Sequence, residues 1–62
     1  MIEVGARVRV VEGPFWSLYG VPGKVIADAP PPGYDLTVAF PNPNSGATMV
    51  RLALHYHEVE EA

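Results

Sequence analysis

The chain has 62 residues and no cysteine, and its four basic side chains face seven acidic ones, a formal charge of −3. That length holds one domain with one thin core, because so short a chain covers only about 60% of the surface its unfolded form exposes. Disulfides and thiolate metal centres are excluded, which leaves association with another chain as the common remaining supplement to stability.

The opening Met1-Ile-Glu-Val-Gly5 has no basic region ahead of a long apolar run, as a secretory signal would. No apolar stretch approaches the ~18 residues of a membrane span. A soluble, cytoplasmic protein is expected. Seven prolines and six glycines interrupt the chain, and no window carries an apolar stripe at i, i+3, i+4 and i+7. Strand alternation is clear instead. In Ala6-Arg-Val-Arg-Val-Val11 the valines Val8 and Val10 turn inward while Arg7 and Arg9 turn outward.

Next comes Gly13-Pro-Phe-Trp-Ser-Leu-Tyr-Gly-Val-Pro-Gly23, an aromatic segment between turn residues, followed by a short strand at 24–27. Ala29-Pro-Pro-Pro-Gly33 lacks an N–H at three successive positions, so it reads as a stiff loop ending in a turn. Residues 34–40 form the third strand, with Tyr34, Leu36, Val38 and Phe40 on one face and Asp35, Thr37 and Ala39 on the other. Pro41-Asn-Pro-Asn-Ser-Gly46 is a dense turn cluster. The fourth strand, 48–54, buries Val50, Leu52 and Leu54 and exposes Met49 and Arg51. His55-Tyr-His-Glu58 reads as one tight helical turn, after which Val59 opens a last short strand. Five short strands around one core imply an all-β, five-stranded closed barrel, since an open sheet this small leaves unpaired edges. A single domain spanning 1–62 is expected.

These pieces, in this order, resemble an SH3-like barrel of the KOW kind. Gly5-Ala-Arg-Val-Arg-Val-Val-Glu-Gly-Pro-Phe15 resembles the KOW opening, and residues 46–60 are similar to the closing strand pair of NusG-type elongation factors. Two features depart from that pattern: Ser17 stands where a second glycine is usual, and Gly20-Val-Pro-Gly-Lys-Val25 delays the strand valine. A weaker likeness runs to the E subunit of photosystem I in length and strand order. Another runs to type II dihydrofolate reductase barrels through Gly5-Ala-Arg-Val-Arg9, Trp16 and Pro32-Gly-Tyr34. Those enzymes use a Val-Gln-Ile-Tyr segment where this chain reads Thr48-Met-Val-Arg-Leu52. The KOW resemblance implies contact with RNA, DNA or the transcription and translation machinery.

The candidate binding residues are Phe15, Trp16 and Tyr19, with Arg7, Arg9 and Arg51 supplying polar specificity. Trp and Tyr are favoured interface anchors, and so small a core does not cover every large ring. The competing expectation is that the rings form a lid on the barrel; a mixed outcome places Phe15 inward and Trp16 outward. Lys24 with the three arginines makes one modest basic patch, while Glu58-Val-Glu-Glu61 repels a polyanion, so nucleic acid is disfavoured. Pro31 of one copy against Trp16 of another is a self-association contact the proline run offers.

No metal, cofactor or catalytic residue is expected. His55 and His57 would share a face on a strand, with Glu58 or Glu60 as a third ligand, but they diverge in a helical turn. Ser17 and Ser45 are turn serines without a neighbouring base, and Asp28 and Asp35 flank the proline loop as solvated acids. Gly20-Val-Pro-Gly23 loses an N–H at Pro22 and makes no phosphate cradle. The expected function is a non-catalytic module that binds a protein partner or itself, as an accessory subunit of a larger assembly. KOW-like nucleic-acid contact is the alternative, and an oligomeric barrel enzyme with its site on a symmetry axis is the second.

Overall fold

A computed structural model of the chain describes residues 2–42 and 45–62, the side chains of 45–48 excepted. Its strands are β1 (Arg7–Val10), β2 (Pro22–Ile26), β3 (Leu36–Asn42), β4 (Ser45–Leu54) and β5 (Val59–Glu61), with 3-10 turns at Trp16–Leu18 and Tyr56–Glu58. The described strands pair antiparallel with one another, in the order β4-β3-β2-β1-β5. The fold is all-β, and the helical turn expected before the last strand is present. No helix among the described residues is long and apolar enough to cross a membrane.

The arginine–valine alternation of β1 behaves as its period dictates: Val8 and Val10 are fully buried and Arg7 and Arg9 exposed. Leu18, Val25, Leu36, Val38, Phe40, Leu54 and Val59 complete the core cluster. The sheet is curled, and chain geometry requires it. Flat strands about 4.8 Å apart would hold the β4 and β5 edges roughly 19 Å from each other. Yet only five steps separate Leu54 from Val59, three of their residues lie in a 3-10 turn rising about 2 Å per residue, and both side chains enter one core. β4 and β5 are the two ends of the bonded order, and the 3-10 turn carries the chain from one to the other.

Several boundaries differ from those read in the sequence. The third strand begins at Leu36, because Tyr34 is consumed by a turn: its N–H donates to Pro31 O at 3.2 Å, and Gly33 takes φ +94°. Proline second and a positive-φ glycine third is the type II arrangement. Tyr34 is therefore exposed and does not share the inward face of Leu36, Val38 and Phe40. Thr37 and Ala39 are buried although they point outward. Each is small and sits between longer or adjoining cross-strand neighbours, Ala39 between Lys24 and Arg51 and Thr37 between Ile26 and Ala53. In β4, Val50 and Leu52 are half-buried, and Leu54 is fully covered. β3 runs through Pro41 and Asn42 with a register shift, and Asn42 pairs with Ser45. The middle of the expected turn cluster, Pro43 and Asn44, lies outside the described residues.

β2 starts two residues earlier than expected, at Pro22. Proline is tolerated as the first residue of a strand, and here it stands opposite Arg9. Gly23 follows as a buried strand residue. This accounts for the delayed strand valine, since the positions before Val25 already belong to the ladder.

Candidate interaction surfaces

The aromatic segment contains a 3-10 turn where a plain loop was expected. Leu18 N–H donates to Phe15 O at 2.9 Å, Tyr19 N–H to Trp16 O at 3.2 Å and Val21 N–H to Leu18 O at 3.0 Å. A 3-10 turn has three residues per turn, so positions i and i+3 eclipse. That period sorts the side chains into two pairs. Phe15 and Leu18 face the core, the first partly buried and the second buried. Trp16 and Tyr19 face solvent, 76% and 42% exposed. The turn is tied down on both sides: Tyr19 bridges Val10, Gly20 N–H reaches Val10 O at 3.4 Å, and the Tyr19 hydroxyl donates to Gly13 O.

Beneath this turn the chain is anchored by Glu58. Its backbone carbonyl accepts the N–H groups of Val11 (2.9 Å) and Glu12 (3.3 Å), and its Oε1 accepts the His55 N–H at 2.9 Å. Its other carboxylate oxygen lies against Gly13, which has φ +100°. Glu58 is buried, so it works inside the fold and is not a surface acid.

The second surface is the outer face of the sheet. Arg7 stands opposite Lys24, Lys24 opposite Ala39, and Ala39 opposite Arg51, so one row crosses four strands. Arg9 lies two residues along β1 from Arg7 on the same face, opposite Glu60. All four basic residues of an acidic chain thus share one face. Arg9 forms an ion pair with Glu60 at 2.6 Å, and Arg51 pairs with Asp28 at 3.2 Å. Among the described residues neither Arg7 nor Lys24 has an anionic partner. Beside them runs a shallow groove of about 270 Å³, whose apolar wall is Pro22, Pro41 and Met49. Phe15, Trp16 and Tyr19 do not line it. The structure therefore divides the six candidate residues between two places.

Tyr34, His55 and His57 stack in sequence, with ring centroids 4.9 and 5.3 Å apart. The two imidazoles therefore do not diverge as expected of a helical turn, because His55 is the extended residue ahead of the 3-10 turn and lies parallel to His57. Among the described residues no group of three or more His, Asp or Glu side chains is placed to hold a metal ion. Asp28 and Asp35 both line a recess of about 240 Å³ beside Tyr56. Each carboxylate is engaged, Asp28 by Arg51 and Asp35 by the Tyr56 N–H at 2.9 Å.

Pro22, Pro41 and Met49 carry no site signal in the sequence, and Lys24 stands there in the basic patch with the three arginines but not among the candidate binding residues. Strand parity alone marks Lys24 as outward, because Val25 is apolar and inward, but its placement opposite Arg7 depends on the register between strands. Comparison with family models, with curated proteins and with solved structures returns no match to this chain.

Proposed function

We propose that the chain is a non-catalytic interaction module, in the manner of SH3-like barrels, whose contact with a protein partner centres on Trp16. The observation that carries this reading is an indole 76% exposed on a turn that is itself held in place. Exposing so large an apolar ring is unfavourable in water unless something covers it, and a ring on a pre-ordered turn loses little entropy when it binds. Tyr19 lies beside it with the same period, giving a paired aromatic anchor of the kind that dominates binding energy at interfaces. The strand order β4-β3-β2-β1-β5 and the 3-10 turn before β5 support the SH3-like grouping.

The test is solution mass by light scattering across a concentration series, for wild type and Trp16→Ala, with circular dichroism as the folding control. Trp16 is the chain's single tryptophan, so its fluorescence reports on the same contact without a label. Self-association gives a wild-type mass that rises with concentration together with a blue-shifted emission, and the variant stays a folded monomer. Monomers in both cases assign the ring to a different protein chain. A Trp16→Ala variant that unfolds, or that still oligomerises where wild type does, overturns the reading.

A further inference from the structure

The geometry points to the outer sheet face as a second docking surface, one that takes an acidic, extended segment of a protein partner across the Arg7–Lys24 pair. Like charges placed directly opposite on neighbouring strands destabilise a sheet. Arg7 and Lys24 are so placed, and no described carboxylate answers either of them. The chain is not short of acids, with seven against four bases. Two of those acids neutralise the neighbouring Arg9 and Arg51, one from β5 and one from the loop after β2. The two cations left open are adjacent, and they border the groove whose other wall is Pro22, Pro41 and Met49.

That combination selects the occupant. Two open cations neutralise few phosphates, and nucleic-acid affinity scales with the number neutralised. An apolar wall also offers nothing to a sugar–phosphate backbone. A peptide that alternates carboxylates with an apolar side chain satisfies both walls, with its acids on Arg7 and Lys24 and its apolar group against Met49 and the prolines. This surface is separate from the Trp16 turn, whose residues do not line the groove.

The experiment is fluorescence anisotropy at low ionic strength with two labelled probes, a peptide of repeated Glu-Leu-Glu-Glu and a single-stranded oligothymidylate of equal charge. Wild type is expected to bind the peptide more tightly than the oligonucleotide, with affinity falling as salt screens the exposed charges. Combined Arg7→Gln and Lys24→Gln substitutions weaken peptide binding by about ten-fold, the loss of two exposed charge contacts. Lys24→Glu supplies the missing counter-charge in cis: it abolishes peptide binding while raising Tm by about 2–5 °C. Trp16→Ala binds the acidic peptide as wild type does. The inference is overturned if the peptide does not bind, if the substituted proteins bind it undiminished, or if the oligonucleotide binds as tightly.

Discussion

Gly23 of β2 lies against the ring of Phe40 on β3, so close that a Cβ there would stand 2.6 Å from Phe40 Cε1 and 2.8 Å from Val38 Cγ1. Phe40 is the largest fully buried side chain, and it is seated by an absence on the neighbouring strand. The Val-Pro-Gly-Lys segment therefore contributes to the core through its glycine. Both neighbours are fully buried side chains without room to yield.

Gly23→Ala is expected to destabilise the fold by about 1–3 kcal/mol, the usual range for overpacking a filled core. The same substitution in a Phe40→Leu background should cost less, because the ring edge that it meets is gone. Urea denaturation of the four proteins gives the coupling, expected at about 1 kcal/mol for residues in contact. Additive effects would show that the two residues do not compete for the same volume.

Glu58→Ala removes the acceptor for the His55 N–H and is expected to cost about 1–2 kcal/mol, as for the loss of a helix cap. Glu58→Gln keeps an acceptor oxygen and should lose less. Gly13→Ala forces a side chain into φ +100° and onto the same carboxylate, so it should destabilise by about 1–3 kcal/mol. Thermal unfolding distinguishes the three. Near-neutral Gly13→Ala would mean that the turn is free to move away from Glu58.

Adjacent rings in the aromatic turn should behave oppositely. Trp16→Ala is expected within about 0.5 kcal/mol of wild type, as for surface substitutions generally. Phe15 packs against the core, and Phe15→Ala should cost about 2 kcal/mol, roughly the burial free energy of part of an aromatic side chain. Denaturation midpoints decide between this division and a lid made of all the rings.

Glu60→Gln frees Arg9 on the basic face, and Asp28→Asn frees Arg51. Both ion pairs are exposed, so each change should alter stability by less than about 1 kcal/mol. Each should also tighten binding of the acidic Glu-Leu-Glu-Glu peptide by adding an open cation beside Arg7 and Lys24. Unchanged affinity in both variants would separate Arg9 and Arg51 from that surface.

Local chemistry makes much of the fold legible in the sequence. The alternation in Arg7-Val-Arg-Val10 defines a half-buried strand because side chains on a strand alternate faces whatever lies beside it. The proline run cannot donate to a ladder, so a loop there follows from covalent structure alone. The turn before Val59 was likewise legible, since the strand pattern stops at Leu54 and resumes five residues later. For the aromatic segment the sequence supports a lid, a displayed site or the mixed division with Phe15 inward and Trp16 outward, because it carries no sign of the 3-10 period that turns Phe15 and Leu18 inward together.

What remained to the tertiary structure was everything set by one strand's position against another. Thr37 and Ala39 become buried only when their neighbours on β2 and β4 are in place. Glu58, one of four residues in an acidic-looking tail, becomes an interior cap only when the chain returns beside Val11 and Gly13. The facing of Arg7 and Lys24 comes from register, and register is fixed by how the buried faces pack together. Parity along a strand is a property of the chain, whereas proximity across strands is a property of the fold.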